Sequence, residues 1–388
     1  MKTPLALPEA TPKEQENSAK LLAKLRQEYP QGILSFAEFM ANALYTAELG
    51  YYSGRKDIFG ESGDFVTAPE LTDIFSKTLA NPIAEVLSHL DQASVAEFGG
   101  GSGTMAADIL LTLEKHEQIP QNYFIIEISA ILRKRQAETI GERAPHLLER
   151  VVWVEELPKN FIGVVVGNEI LDALPVFRLL KDEELLELVV SIETDTPQWK
   201  TRPVMEGELN NFIQEHYQEL VPQLPKGYHF EVCLSLKNWM RALARQMKQG
   251  VVLLVDYGYP RQELFRPDRH MGTLACHYRH RTHDDALWLP GQQDITAHVD
   301  FTLVAELAVE NDLDVLGFAH QAGFLLGAGI EQYIAQDTID PAELNEISNA
   351  KKLLMPSDMG ESFKVIALGK EFEEGLSAFT HFDQRMRL

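Results

Sequence analysis

A short apolar strand runs into a helix through the glycine-rich stretch Glu97-Phe98-Gly99-Gly100-Gly101-Ser102-Gly103. The strand is predicted over Ser94–Phe98, and the helix from Thr104 to about Lys115. A turn at such a junction presents backbone N–H groups and the positive end of a helix dipole to the crevice in which these sheets bind ligands. Glycine has no Cβ, so a ligand can approach the backbone closely. The stretch therefore predicts a ligand-binding α/β sheet.

Further apolar runs without polar alternation indicate parallel strands that are buried on both faces and separated by helices. With the strand before the glycine turn, they predict a seven-stranded, doubly wound, Rossmann-like α/β sheet. These runs are Tyr123–Ile126, Val151–Val154, Gly163–Val166, Val251–Val255, Leu313–Phe318 and Phe363–Leu368.

The regular alternation of strand and helix is interrupted between the fourth and fifth strands. Residues 176–231 are predicted to form an inserted α+β cap, made of a hairpin, a helix and an extended segment. Residues 76–175 and 232–388 are predicted to form the core. Residues 1–75 are predicted to form a helical and loop segment that covers the pocket, with residues 1–17 disordered or loosely attached. Ser35 is a candidate N-cap, because Glu38 follows it at the spacing of a capping box.

The chain carries a formal net charge of −23, from 35 Lys and Arg against 58 Asp and Glu. This charge repels phosphate backbones, which argues against nucleic acid and fits a basic protein or peptide partner, or simply solubility. Two cysteines are too few for a disulfide framework, and no apolar run reaches the ~20 residues of a membrane span. The N-terminus has the composition of neither a secretory signal nor a transit peptide, so a cytoplasmic location is expected.

Carboxylates stand near the ends of three successive predicted strands. Glu97 precedes the glycine turn, Glu127 follows the second strand and Glu155 follows the third. Glu127 is placed to accept two ribose hydroxyls, and Glu155 to bind an adenine amino group. Such a set suits a nucleoside without phosphates, and S-adenosylmethionine is one. A solvated acid is the alternative for Glu127 alone. The glycines do not follow the dinucleotide spacing G-x-G-x-x-G, and there is no P-loop motif.

The segment Gly167–Pro175 follows the fourth predicted strand and contains Asn168, Glu169 and Asp172. In such a sheet this strand end faces the reactive methyl group, so these side chains are candidates for holding the methyl acceptor, and Asn168 also for binding the cofactor. Methyl transfer depends mainly on orientation and exclusion of water. An arginine acceptor would need carboxylates to fix its guanidinium. Glu169 is the first catalytic candidate and Asp172 the second, although Asp172 could instead cap a helix.

The histidine-rich stretch His270–His283 includes Cys276, and its spacing would permit a metal site. Arginines are interleaved with these histidines, which favours a polar active-site loop or a solvated loop. No metal is therefore predicted.

Several segments taken together resemble the MidA family of class I methyltransferases, which includes a mitochondrial complex I assembly factor that methylates an arginine. The resemblance runs from about residue 30 to residue 370, and the order of the segments makes it specific. In chain order they are Phe36–Met40, Gly50–Tyr52, Gly63–Glu70, Glu97–Gly103, Asn168–Pro175, Asp256–Gly258, Gly272–Leu274, Asp294–Asp300 and Phe363–Val365.

The resemblance implies the seven-strand methyltransferase fold, with a pocket shaped by the loop Gly63–Pro69 and the turn Asn168–Asp172. It also implies a protein arginine as the acceptor, by analogy with the mitochondrial relative. The paired-glutamate loop of better-known arginine methyltransferases is not found, so the acceptor stays open. The residues implied to bind S-adenosylmethionine are Gly99, Gly101, Gly103 and Glu127.

Three functional alternatives compete with protein arginine methylation. A small-molecule methyltransferase would use the same cofactor site, with the aromatic loop Tyr51–Phe65 closing over a metabolite. A non-catalytic assembly or scaffold protein would keep the fold but damage the glycine turn, which is intact here. A dinucleotide oxidoreductase is disfavoured by the glycine spacing. The sequence does not predict the oligomeric state.

Overall fold

The computed structural model describes residues 7–54, 67–334 and 340–388. These residues pack into two compact units. The first unit contains the described residues of Met1–Phe65, Asp172–Asn238 and Gln262–His298. The second unit contains those of Val66–Leu171, Trp239–Arg261 and Val299–Leu388. The predicted cap, 176–231, thus falls in the first unit together with 262–298, while the domain boundaries proposed from the sequence stay a prediction.

Helices and strands are interspersed along the chain. They are α1 (Pro12–Glu28), α2 (Phe36–Tyr45), α3 (Tyr51–Gly54), α4 (Ala68–Leu71), α5 (Asp73–Ser88), α6 (Thr104–Lys115), α7 (Ala130–Arg143), α8 (Glu208–His216), α9 (Ser235–Gln246), α10 (Arg261–Leu264), α11 (Phe301–Val309), α12 (Gln321–Gly327) and α13 (Pro341–Leu354). The strands are β1 (Ile33–Ser35), β2 (Ser94–Phe98), β3 (Tyr123–Ile126), β4 (Val151–Val154), β5 (Phe161–Asn168), β6 (Phe177–Lys181), β7 (Leu185–Ser191), β8 (Gln198–Pro203), β9 (Tyr228–Val232), β10 (Met247–Tyr259), β11 (Ala275–Tyr278), β12 (Arg281–His283), β13 (Asp294–Thr296), β14 (Val299–Asp300), β15 (Asp314–His320) and β16 (Phe363–Lys370).

The second unit is built on a mixed sheet in the order β15-β16-β10-β5-β2-β3-β4, with the two-residue strand β14 pairing with β10 as well. All pairings from β10 to β4 are parallel, whereas β16 is antiparallel to both β10 and β15. Helices α5 and α6 pack against each other beside this sheet. The structure confirms the predicted α/β fold, and the seven predicted strands form the path to which β14 is added.

Burial on both faces explains the unalternating strands. Val164, Val165 and Val166 are consecutive in β5, and each is at most 1% exposed, so neither face of this strand meets water. Consecutive residues of a strand point to opposite faces, so both faces must be covered by apolar groups. This double burial is the reason that the central strands were recognisable in the sequence.

The first unit contains a separate antiparallel sheet in the order β1-β7-β6-β9, with β8 also pairing with β7, and a three-stranded sheet in the order β12-β11-β13. The predicted hairpin forms β6 and β7, and the predicted helix forms α8. The side chains of Phe36 and Phe39 from α2 are fully buried in the core of this unit, where Leu21 and Leu25 of α1 also lie.

Two capping boxes begin the N-terminal helices. Ser35 and Glu38 form the predicted one, in which the Ser35 backbone N–H donates to Glu38 Oε2 over 2.8 Å. The second was not predicted: Thr11 and Glu14 cap α1, so the helix begins at Pro12. The expectation that residues 1–17 are loosely attached was therefore wrong for residues 12–17. The polar start of α1 resembled a disordered segment, but its cap satisfies the first backbone N–H groups.

Part of the predicted pocket-covering segment belongs to a stretch that the structure does not describe. Residues 55–66 lie outside the described residues, and they include most of the aromatic loop Tyr51–Phe65 and the first part of the segment Gly63–Pro69.

In the part of the chain that the structure describes, no helix is both long enough and apolar enough to cross a membrane.

The backbones of β2 and β5 approach each other closely where Gly163 lies beside Ser94. A Cβ added at Gly163 would lie 1.8 Å from the carbonyl oxygen of Ser94, and Gly163 has a φ of +139°. Gly163→Ala should therefore lower the free energy of unfolding by roughly 3–5 kcal/mol, since neither backbone can move without breaking the sheet. Chemical denaturation measures this loss.

Gly141→Ala is the matched control. Gly141 lies inside α7, and an added Cβ would make only an ordinary contact at 3.6 Å with Leu148. This change should stabilise the protein by about 0.5–1 kcal/mol, because alanine loses less backbone freedom in a helix. Equal stability of the two variants would show that the close approach is not a real constraint.

Candidate active site

The glycine turn between β2 and α6 is held by backbone conformations that favour glycine. Gly99, Gly101 and Gly103 have φ values of +67°, +50° and +90°. A Cβ added at Gly101 would meet no protein atom within 4 Å, whereas one at Gly103 would lie 2.8 Å from Cα of Gln136. The turn thus faces open space at Gly101 and packs tightly against α7 at Gly103.

Ser102 connects the same turn to helix α4. Its Oγ donates a short hydrogen bond to Oε1 of Glu70, and it accepts the backbone N–H of Thr104 over 3.3 Å. Glu70 belongs to the segment Gly63–Glu70 of the family resemblance, but no binding role was predicted for it. The turn is therefore braced from two sides, by α4 and by α7.

Glu127 follows β3 and is 8% exposed. Its Oε1 accepts the backbone N–H of Ser129 over 2.8 Å, and its Oε2 accepts an N–H of Gln136 Nε2 over 3.2 Å. Burial raises the pKa of Glu127, while these two hydrogen bonds favour its ionised form. The carboxylate is consequently held in one orientation beside the glycine turn.

Glu97 lies at the end of β2 but is engaged inside the protein. It is 1% exposed, and its Oε2 accepts the hydroxyl of Tyr123 over 2.5 Å. Burial raises the pKa of Glu97 to about 7; the Tyr123 hydrogen bond opposes this rise and the charge of Glu127 adds to it. The predicted cofactor role of Glu97 stays a prediction, and in this structure its carboxyl group binds a neighbouring strand.

Glu155 follows β4, and its side chain is 81% exposed. It lies 3.7 Å from Nη2 of Arg133, whose Nε donates to the backbone carbonyl of Glu127 over 2.5 Å. The structure thus brings the ends of β3 and β4 together through one arginine. Glu155 can change its orientation at little cost, because such an exposed ion pair contributes little stability.

The predicted catalytic turn follows β5. Glu169 has a φ of +54°, a left-handed conformation that is uncommon for residues other than glycine. Asn168 Nδ2 donates to Oε1 of Glu169 over 2.9 Å. Asp256, at the matching level of β10, is fully buried, and its Oδ2 accepts the backbone N–H groups of Ile170 (3.0 Å) and Leu171 (2.7 Å).

Asp172 belongs to the first unit, whereas Asn168 and Glu169 belong to the second. Asp172 is 4% exposed, and its backbone carbonyl accepts the N–H of Ala297 over 3.0 Å. In the same unit, the hydroxyl of Tyr52 donates to Oδ1 of Asp294 over 2.9 Å. Burial raises the pKa of Tyr52 well above its usual value, and the negative charges of Asp294 and Asp172 add to this rise.

Two histidines of the stretch His270–His283 contact neighbouring side chains in the first unit. His283 makes an edge-to-face contact with Trp288 at 5.6 Å between ring centroids, and Nδ1 of His277 lies 3.3 Å from Oγ1 of Thr282. Cys276 is buried in β11, and burial raises the pKa of its thiol. The absence of a metal from this stretch stays a prediction.

Two residues important to the geometry were missed in the sequence. Asp256 lies in a segment of the family resemblance, Asp256–Gly258, but no role was predicted for it. Gln136 had a signal that was not used: it stands on the buried stripe of α7, four residues from both Leu132 and Ile140. A polar residue on an apolar stripe is unusual and indicates a specific partner inside the protein.

The parallel strands, the glycine turn after β2 and the carboxylate after β3 are the features from which the sequence predicted an S-adenosylmethionine-dependent methyltransferase. A family model described as an S-adenosyl-L-methionine-dependent methyltransferase matches residues 78–319, which is more than half of the chain. The chain belongs to this family, and the resemblance to the MidA methyltransferases is confirmed.

Solved structures and curated proteins that are similar to this chain also include methyltransferases. A crystal structure from Burkholderia thailandensis, bound to S-adenosyl-homocysteine, is 38% identical, covers 99% of this chain and 100% of its own, and has a TM-score of 0.92. The protein arginine methyltransferase NDUFAF7 homolog, mitochondrial, of Drosophila melanogaster is 28% identical, over 95% of this chain and 89% of that protein. The Danio rerio protein arginine methyltransferase NDUFAF7, mitochondrial, is 27% identical, over 87% and 83% respectively.

These relatives also correct one expectation. A cytoplasmic location was expected from the composition of the N-terminus, but the curated relatives are named as mitochondrial proteins, which contradicts that expectation.

Substitution at the two glycines that face different surroundings should have different effects. Gly101→Asn places a side chain in the open space, and asparagine tolerates a positive φ better than most residues. This variant should fold but lose binding of S-adenosylhomocysteine in calorimetric titration. Gly103→Ala should instead lower the melting temperature, because its Cβ meets the backbone of Gln136. Unchanged affinity in Gly101→Asn would refute the cofactor site.

Glu97→Gln should change the pH dependence of stability. Because the pKa of Glu97 is about 7 in the folded protein against an ordinary 4.5, the folded state holds a proton that the unfolded chain releases, and stability is lost as pH rises between these values. The amide can still accept the Tyr123 hydroxyl but has no proton to lose. Chemical denaturation between about pH 4 and pH 8 should show that the free energy of unfolding of Glu97→Gln rises relative to that of the wild type as the pH increases. A difference in stability that stays constant over this range would contradict the raised pKa of Glu97.

Proposed function

We propose that this chain transfers the methyl group of S-adenosylmethionine to a guanidinium nitrogen of an arginine in a protein substrate. The names of the curated relatives support the arginine acceptor, since they are protein arginine methyltransferases. The single observation that carries the proposal is the pair of acceptor groups on the turn after β5, Asn168 and Glu169.

We infer that the nucleoside of the cofactor is held at the glycine turn and Glu127. The residues present fit this group: no described protein atom occupies the space beside Gly101, and the buried carboxylate of Glu127 offers lone pairs suited to a ribose diol. The proposed cofactor-binding residues are Glu97, Gly99, Gly101, Gly103, Glu127, Glu155 and Asn168.

The amide of Asn168 has a defined orientation. Its Nδ2 faces the carboxylate of Glu169, which can only accept, so its Oδ1 is the remaining acceptor. This Oδ1 is buried and has no hydrogen-bond partner among the described residues. A buried acceptor without a donor costs about 1–3 kcal/mol, so its presence suits a ligand that supplies an N–H group.

A guanidinium complements this pair better than a hydroxyl or a carbon acceptor. It carries only donors and a positive charge, and the pair consists of a carboxylate and an amide oxygen. The overall charge of −23 also favours a basic protein substrate over an acidic one.

Bound S-adenosylmethionine supplies a methyl group on a positively charged sulfur. For the chain's own residues, the task is to orient one guanidinium nitrogen and to receive its proton as the N–C bond forms and the S–C bond breaks. Asn168 Oδ1 can accept one N–H and orient the group, while the Glu169 carboxylate accepts the proton that the nitrogen loses. Asp172 remains the second candidate for this role.

The acceptor class can be tested directly. The purified protein is incubated with methyl-labelled S-adenosylmethionine and an undigested protein extract, and the labelled protein is hydrolysed to amino acids. Label in methylarginine supports the proposal. Label confined to small molecules, or to another amino acid, contradicts the arginine acceptor while leaving the methyltransferase assignment intact.

Glu169→Gln separates catalysis from cofactor binding. The amide keeps the size of the side chain but cannot accept a proton, so kcat should fall by about 10²–10⁴-fold. Affinity for S-adenosylhomocysteine should stay within about threefold, since the proposed role of Glu169 concerns the acceptor. Parallel loss of turnover and of cofactor affinity would remove Glu169 from the catalytic role.

A further inference from the structure

Gln136 is fully buried in α7, yet it carries a primary amide. It occupies the helix face that otherwise buries Leu132 and Ile140. Burying an amide without partners is unfavourable, so this position requires an explanation from its contacts. Those contacts reach three different segments of the second unit.

Both polar atoms of the Gln136 amide make hydrogen bonds. Its Nε2 donates to the carbonyl of Gly101 over 3.1 Å and to Oε2 of Glu127 over 3.2 Å. Its Oε1 accepts the indole N–H of Trp153 in β4 over 2.9 Å. One side chain thus joins the glycine turn, the end of β3 and the strand β4.

The chemistry of the three partners allows only one orientation of the amide. A backbone carbonyl and a carboxylate oxygen can only accept, and an indole N–H can only donate. A flipped amide would set its oxygen against two acceptors and its N–H₂ against a donor. The amide orientation is therefore determined by the partners themselves.

Gln136 is also the only side chain that donates a hydrogen bond to the Glu127 carboxylate among the residues that the structure describes. The nearby Arg133 donates to the backbone carbonyl of Glu127 instead. The angle at which the carboxylate of Glu127 leaves the end of β3 consequently depends on Gln136 and on the backbone N–H of Ser129.

We propose that Gln136 is a positioning residue for cofactor recognition: it holds the Glu127 carboxylate at a set distance from the glycine turn and thereby selects a ribose diol over a deoxyribose. This inference rests on the proposed cofactor site at Glu127 and the glycine turn. Gln136 itself need not touch the nucleoside, because it acts through Glu127 and Gly101.

The variant Gln136→Glu tests the proposal with almost no change of shape. The introduced carboxyl can still accept the Trp153 N–H, but its second oxygen faces two acceptors unless it carries a proton. The introduced carboxyl and Glu127 would therefore share one proton at low pH and repel each other when that proton is lost.

The readout is the affinity for S-adenosylhomocysteine between about pH 6 and pH 8.5. Gln136→Glu should bind within about tenfold of the wild type at pH 6 and weaken by roughly a further tenfold or more at about pH 8.5. The wild type should show no such loss, because rising pH only ionises Glu127, the form that accepts the diol. The two proteins are thus expected to respond to pH in different directions.

Gln321→Glu is the matched control. Gln321 is also a fully buried glutamine of the second unit, and its Nε2 donates to the carbonyl of Leu353 over 3.0 Å. This variant should lose stability but keep the pH response of cofactor affinity seen in the wild type. If it shows the same loss of affinity at high pH as Gln136→Glu, the effect is a general one of buried charge and the proposal is overturned.

Trp153→Phe tests the role of Gln136 without adding a charge. It removes the donor that fixes the Gln136 amide, at a half-buried position. The ratio of the dissociation constants for 2′-deoxy-S-adenosylhomocysteine and S-adenosylhomocysteine should fall by about threefold or more, since a freed amide holds Glu127 less firmly. A wild-type ratio in Trp153→Phe would overturn the proposal even if Gln136→Glu did not fold.

A third variant distinguishes an error in the proposed cofactor site from an error in the role of Gln136. Glu127→Ala should abolish the discrimination between the two ligands. If Glu127→Ala binds both ligands as the wild type does, the cofactor site itself is wrongly assigned. If Glu127→Ala loses the discrimination, while Gln136→Glu keeps the pH response of the wild type and Trp153→Phe keeps the wild-type ratio, the site stands and the role of Gln136 is refuted.

Discussion

The parallel pairing of five neighbouring strands is the constraint on which the candidate site depends. Parallel strands end at the same edge of a sheet, so whatever follows each strand gathers there. The register is tight: Phe98 pairs with both Ile126 and Gly167. The polar residues of the site therefore lie at, or within about two residues of, strand ends that are aligned in one row across the sheet. The segments assembled on this line are the glycine turn after β2, Glu127 after β3, Glu155 after β4, Asn168–Glu169 at the end of β5 and Asp256 in β10.

The turn after β5 shows how the same sheet stabilises an unfavourable conformation. A left-handed residue other than glycine costs about 1–2 kcal/mol, and Glu169 has this conformation. The cost is offset by hydrogen bonds from three consecutive backbone N–H groups. Glu169 N–H donates to the carbonyl of Val255 over 2.8 Å, and the N–H groups of Ile170 and Leu171 donate to the side-chain carboxylate of Asp256. Neighbouring strand β10 thus holds the turn that carries the proposed catalytic carboxylate. Strain of this kind, held by the surrounding structure, is common at functional sites.

The sequence predicted the central sheet well and the rest less well, for physical reasons. The strand Ser94–Phe98 was predicted with its observed bounds because a doubly buried strand must be apolar throughout. The start of α1 was missed because a helix that faces water on most sides has the composition of a loop. The polar groups at strand ends were recognisable as candidates. Gln136 was recognisable only as a polar residue on an apolar helix stripe, because its partners Glu127 and Trp153 lie on other elements. Periodicity reports burial but does not report hydrogen-bond partners.

The order of the strands along the chain has a consequence for biosynthesis. The central strand β10 (Met247–Tyr259) pairs with β5 (Phe161–Asn168), but about 80 residues of chain are synthesised between them. At translation rates of about 5–20 residues per second, one edge of β5 waits on the order of 4–16 s for its partner. An unpaired, apolar edge strand can associate with other chains during that time. The emerging chain is therefore expected to need protection by a chaperone until β10 leaves the ribosome, although the finished protein exposes no such edge at β5.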